Sequence, residues 1–155
     1  MNPLRTWIRR TVAAAFLVGT LSSCGGDTVG PDNSLNAIVG SWDAFRMVVV
    51  NKASPTTAPD LIKLGVTVFV DVQPSGQYTA ILTSFGIPNT EFGRIEVRND
   101  QLTFHREQPG PARSDIGTYR ISADTLFLTG DTDFDFNLDG QAEPARLLTD
   151  FKKRR

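Results

Sequence analysis

From Val39 onward, apolar residues return at every second position, the period of a strand with one face buried. Trp42, Ala44, Val48 and Val50 fall on one face of a first strand, with Arg46 among them. Val66, Val68, Val70 and Val72 share a face of a second. Pro74-Ser75-Gly76-Gln77 is turn chemistry, after which Tyr78, Ala80 and Leu82 alternate with Gln77, Thr79 and Thr83. Between the first two strands, Pro55 and Pro59 exclude a strand interior. Pro59 to Gly65 predicts one or two helical turns, with Pro early and Gly just past the end. No other short helix is expected.

Further along, Gly93-Arg94-Ile95-Glu96-Val97-Arg98-Asn99-Asp100-Gln101-Leu102-Thr103-Phe104 aligns without gaps on Gly117-Thr118-Tyr119-Arg120-Ile121-Ser122-Ala123-Asp124-Thr125-Leu126-Phe127-Leu128. Each copy reads as glycine, two alternate apolar residues, a turn at Asp, then Leu-x-apolar. That is a β-hairpin written twice, and hairpins in series make a meander. A last strand runs from Ala145 to Lys153, with Leu147 and Phe151 on one face. The fold class is therefore all-β, an antiparallel up-and-down meander of eight or nine strands. Closure into a barrel removes both sheet edges; a two-sheet sandwich is the alternative.

The N-terminal residues follow a different pattern. Arg5, Arg9 and Arg10 precede an uncharged, mostly apolar run from Thr11 to Leu21. A bilayer needs about 20 apolar residues, so this is the layout of a signal peptide rather than a span. Leu21-Ser22-Ser23-Cys24 then resembles the lipobox of bacterial lipoproteins. The resemblance implies cleavage after residue 23 and lipidation of Cys24, the one cysteine in the chain. Gly25 in place of Asp after that cysteine implies the outer membrane of the cell envelope as the destination. Residues 24–37, polar and punctuated by Gly and Pro, read as the lipidated N-terminus and a flexible tether. The domain is residues 38–155.

Charge narrows the partners. The signal carries three of the 16 basic residues and none of the 17 acidic ones, leaving residues 24–155 at −4. A mildly acidic domain has no electrostatic footprint for nucleic acid. The basic run Lys152-Lys153-Arg154-Arg155 reads as a solvated chain end or as a contact with anionic head groups.

Within residues 38–154, Gly40-Ser41-Trp42 opens the first strand, and a basic strand closes the chain. Between them come Val70-Asp71-Val72-Gln73-Pro74-Ser75-Gly76-Gln77-Tyr78, the repeated hairpins and Asp133-Phe134-Asp135-Phe136-Asn137. This order resembles small bacterial lipocalin-like lipoproteins. The resemblance implies a lipocalin-like barrel in which Trp42 packs against a basic residue from near the C-terminus, Arg154 or else Lys152. It also implies a module that binds a small apolar ligand or serves envelope transport, with no enzymatic activity.

Three sets of residues are candidate sites. Asp135, Asn137, Asp139, Gly140, Gln141 and Glu143 match positions 1, 3, 5, 6, 7 and 9 of the calcium-loop pattern. Calcium takes six to eight oxygens, and Arg146 occupies the twelfth position where a bidentate Glu belongs. The same stretch also reads as a strand with Phe134 and Phe136 inward and a tight Asp139-Gly140 turn. A calcium-stiffened barrel with a filled interior is thus the alternative to a ligand carrier. Arg46, if it faces inward with Trp42 and Ala44, needs a buried partner or a ligand carboxylate; a bulge would turn it outward. Arg106 carries the same ambiguity. His105 is the only histidine and alternates outward, and no serine sits in a nucleophile elbow, so nucleophilic catalysis has no support in the sequence.

Overall fold

The computed structural model describes residues 34–155. It contains eight strands: β1 (Gly40–Asn51), β2 (Thr67–Val72), β3 (Gln77–Ser84), β4 (Ile87–Arg98), β5 (Gln101–Gln108), β6 (Arg113–Ser122), β7 (Thr125–Phe134) and β8 (Glu143–Lys153). Each pairs antiparallel with the next, and β8 returns to pair with β1, so the sheet closes into an up-and-down barrel. The barrel, rather than the sandwich, is the architecture.

Period-two alternation places the apolar faces inside. Trp42, Val72, Tyr78, Ile95, Leu102, Tyr119, Leu126 and Phe151 form one buried cluster contributed by every strand. Both repeated hairpins are present, turning at Asn99 (φ 55°) and Ala123 (φ 53°). The turns at this end share one device. Gly76, Asp100 and Asp124 each accept a hydrogen bond from an amide of a following strand: Ile95 at 2.7 Å, Tyr119 at 2.8 Å and Lys153 at 2.8 Å.

The same end is plugged by α1 (Leu35–Ile38), a single helical turn inside the stretch read as tether. Its apolar residues three apart explain the departure: Ile38 is 1% exposed, and its carbonyl accepts the Trp42 indole Nε1–H at 2.8 Å. The turn expected at Pro59–Gly65 is not a helix. Residues 61–65 are successive turns with bonds from Leu64 N to Leu61 O at 3.1 Å and Gly65 N to Ile62 O at 3.0 Å. Just before them, the long β1–β2 connection lies beside the upper half of β1, where Val49 N reaches Pro59 O and Leu61 N reaches Met47 O.

The first strand departs from simple alternation. Its pairing with β8 slips between Ala44 and Arg46, leaving Phe45 as an extra residue. A bulge of this kind reverses the face of everything after it. Met47 and Val49 therefore continue the inward face of Trp42 and Ala44, paired with Thr149 and Leu147, in place of Val48 and Val50.

Candidate functional site

An up-and-down barrel has two unlike ends. One holds α1 and the β2–β3, β4–β5 and β6–β7 turns; the other holds the four remaining connections. Trp42, 1% exposed, lies toward the first. The cation over its ring belongs to Lys153, with Nζ 5.2 Å from the ring. Neither Arg154 nor Lys152 takes this role. The register pairs Trp42 with Lys153, so alternation sends both neighbours outward. Arg154 makes two hydrogen bonds to Asp43, at 2.9 and 2.7 Å, and lies over Phe69. Lys152 bonds Asp124, and that bond holds the Asp124 carboxyl below the usual carboxylate range. Gly40 completes the arrangement: its φ is +121°, and a Cβ there would lie 2.9 Å from Lys153 Cε. The C-terminal basic run is thus tied to named partners rather than offered as a free patch.

Above this floor the lumen holds a half-open cavity of about 230 Å³. Val68, Val70, Phe104, Leu126, Leu128 and Leu147 contribute apolar wall, while Glu91, Asp115 and Thr132 make the wall polar elsewhere. Register explains how charges enter. Ala80 pairs with Glu91, and Gly93 with Arg106 and through it with Arg113, so these positions share the inward face. Glu91 accepts a hydrogen bond from the Tyr78 hydroxyl, and Arg106 stands 3.6 Å from its other oxygen. Burial, then the Glu91 carboxylate, pushes the Tyr78 hydroxyl far above its ordinary pKa, so it remains a donor. Arg113 Nε donates to Asp115 at 2.8 Å. Among the described residues, Arg106 and Arg113 are the arginines that this register turns inward.

Arg46 is not one of them. The bulge turns it to the outer face, 44% exposed, where its guanidinium donates to Asp150 at 3.1 Å. It lines no part of the lumen cavity, so the premise of a carboxylate ligand at Arg46, an inward side chain, is not met. His105 faces out as well, with Nδ1 2.8 Å from Ser114 Oγ. Cys24 lies outside the described residues.

The acidic hairpin is a wide loop, residues 135–142, rather than a two-residue turn. Its candidate ligands do gather there, but they bind the loop's own backbone. Asp135 accepts from Asp139 N at 3.2 Å and Gly140 N at 2.8 Å. Asn137 accepts from Asp139 N at 3.1 Å and donates to the Asp139 carboxylate at 3.0 Å. Asp139 accepts from Gln141 N at 2.8 Å, and Glu143 from Phe136 N at 3.0 Å. Among the described residues, no group of three or more His, Cys, Asp or Glu is placed to hold a metal ion. Asp135→Ala removes the acceptor of two amides and is expected to cost about 1–2 kcal/mol, read as a lower urea midpoint. An unchanged midpoint would show that water replaces both bonds at no cost.

Sequence reasoning missed Tyr78, Glu91 and Asp115 as a polar group. The available signal was Glu91 on the same alternation as Gly93, Ile95 and Val97: a carboxylate on an otherwise apolar face. No protein-family model matches the chain, and no curated protein or solved structure matches it either. The fold itself, an eight-stranded antiparallel barrel, is consistent with a lipocalin-like architecture.

Proposed function

We propose that this chain is a lipocalin-like binding module of the bacterial cell envelope, anchored through Cys24 at the outer membrane and carrying a small, largely apolar ligand in its barrel. The cavity of about 230 Å³ inside the sheet carries the reading. An interior packed solid would leave no room for cargo; this one has space for about eight water-sized groups at roughly 30 Å³ each. That is below the ~300–1,000 Å³ of sites for drug-sized ligands, so the cargo is small. The lipobox-like Leu21-Ser22-Ser23-Cys24 supports the anchor. Two acyl chains hold a protein stably where one holds it marginally, at about 0.8 kcal/mol per buried CH₂.

Each half has its own test. Protein purified natively from envelopes and extracted under denaturing conditions is expected to release one small molecule in stoichiometric amount by mass spectrometry; an empty extract counts against the carrier. Cys24→Ala is expected to move the protein from the membrane fraction to the soluble fraction, and retention at the membrane would sink the anchor.

A further inference from the structure

The cavity is half-open, and the place where it opens bears on what it can hold. Among the described residues, none from the four connections at the open end lines it, so the mouth of the barrel is not where it opens. Two outward-facing residues do line it: Ile116 on β6, 62% exposed, and Asp131 on β7, whose side chain is 71% exposed. Residues of the outer face border an interior space only where the wall between them is parted. The ladder stops at this place. β6 and β7 pair from Ser122 with Thr125 up to Gly117 with Gly130, and among the described residues no pair joins 113–116 to 131–134. The two paired glycines at the foot of this seam carry no side chain to plug it. The β1–β2 ladder also stops early, at Asp43 with Phe69, but there the β1–β2 connection takes the vacant place. Val49 N reaches Pro59 O at 3.1 Å and Leu61 N reaches Met47 O at 2.7 Å. Among the described residues, no loop backbone bonds across the β6–β7 seam in this way.

From this geometry we infer that the lumen takes the tail of a single-chain amphiphile sideways through the β6–β7 seam, and that a neutral, hydroxyl-bearing head group stays in the seam. The inference rests on the carrier reading and names a ligand class for it. The volume of about 230 Å³ then limits the tail alone, and the head group is free to be larger. The tail lies against Val70, Leu126 and Leu128. The flanks of the seam set the chemistry of the head. Charges there are already balanced: Arg113 donates to Asp115 at 2.8 Å, and Lys52 stands 2.9 Å from Asp131. Deeper in, Glu91 is matched by Arg106 at 3.6 Å. A charged head would have to break one of these pairs to find its own partner. The parted strand edges instead offer N–H donors and C=O acceptors together. A hydroxyl is both donor and acceptor, so it suits such an edge in either direction.

The mature chain, residues 24–155 with Cys24→Ala, carries its own reporter, because Trp42 lines the cavity and is the only tryptophan after residue 23. Bromine quenches indole fluorescence on contact, so 6-bromohexyl glucoside and 1-bromohexane serve as probes. At roughly 30 Å³ per water-sized group, 1-bromohexane fits the lumen whole and the glucoside fits only with its sugar outside. Ile116→Cys together with Asp131→Cys sets two thiols across the seam at the positions that would pair next, and oxidation clamps it. On oxidation the glucoside is expected to lose at least about tenfold in affinity, through exclusion of its tail, and to recover on reduction. At equilibrium 1-bromohexane, which leaves nothing in the seam, is expected to change less than about twofold. Gly130→Leu fills the foot of the seam, where a Cβ meets nothing closer than 3.5 Å. It is expected to lower the glucoside-to-bromohexane affinity ratio at least about fivefold, and it decides the matter if the clamp disturbs the barrel. Replacing the sugar by trimethylammonium or phosphate is expected to weaken binding about fivefold, the worth of one lost hydrogen bond. Glucoside affinity unchanged by both clamp and Gly130→Leu, or 1-bromohexane bound with the glucoside excluded, overturns the seam while leaving the carrier intact. A charged head bound as tightly as the sugar overturns the hydroxyl assignment. If neither probe quenches Trp42 at millimolar concentration, the seam and the carrier reading fall together.

Discussion

Trp42→Ala is expected to lower stability by about 3–5 kcal/mol, the cost of deleting a large aromatic side chain from a packed interior. Trp42 is 1% exposed and joins α1, β1 and β8. Its loss opens a hole at the barrel floor and leaves the Ile38 carbonyl without the indole donor. The Lys153 ammonium also loses the ring over which it sits, 5.2 Å from the centroid. A domain of this size has about 5–15 kcal/mol in total, so the variant should unfold on the order of 10–20 °C earlier. Trp42→Phe keeps most of the apolar volume but not the indole N–H, and should fall between the two. A Trp42→Ala midpoint within about 1 kcal/mol of the parent would mean that the floor is not the keystone it looks to be.

Gly93→Ala carries the second large effect, from a single methyl group. A Cβ at Gly93 would lie 2.1 Å from the His105 carbonyl oxygen, 2.8 Å from Tyr78 Cε1 and 3.0 Å from Arg106 Cα. Two of those atoms are backbone of β5 and cannot swing aside. The β4–β5 ladder, already irregular between Phe92 and Gly93, would have to part there. Overpacking costs about 1–3 kcal/mol where side chains yield, and the expectation here is about 3 kcal/mol or more. Gly130→Ala is the control, because a Cβ there meets nothing closer than 3.5 Å. Equal urea midpoints for the two variants would refute the argument. The same methyl would push Tyr78 away from Glu91 and so put that hydrogen bond at risk as well.

Gly93 also shows what the repeat was reporting. The two aligned hairpins both begin with a buried glycine, Gly93 and Gly117, whose missing side chain lets a neighbouring strand approach. At Gly117 a Cβ would lie 2.8 Å from Thr129 O and 3.1 Å from Leu128 Cδ1. The sequence marked these positions by their recurrence, but the reason for them is a contact across the sheet that no local pattern contains.

Other features divide the same way. Alternation of apolar and polar residues depends only on which side of a strand each side chain leaves, so the all-β class, the hairpins and Trp42 as an inward residue were legible directly. The β1 bulge was not. One extra residue, Phe45, reverses the inward set after it, and whether the slip occurs is decided by pairing with β8, a hundred residues away. That slip sends Arg46 to Asp150 on the outside. Arg106 has the same local credentials, yet it is interior because Gly93 on β4 pairs with it and Glu91 is near enough to offset its charge.

The chain by itself therefore determined the strand periodicity, the hairpin turns at Ser75-Gly76, Asn99-Asp100 and Ala123-Asp124 and the inward side of Trp42, all set by residues close in sequence. Only the tertiary structure decided which charges share the lumen, that Lys153 rather than Arg154 covers Trp42, and that a cavity of about 230 Å³ remains inside the barrel. Those outcomes depend on register between strands, and a shift of one residue in register exchanges the inside of a barrel for its outside.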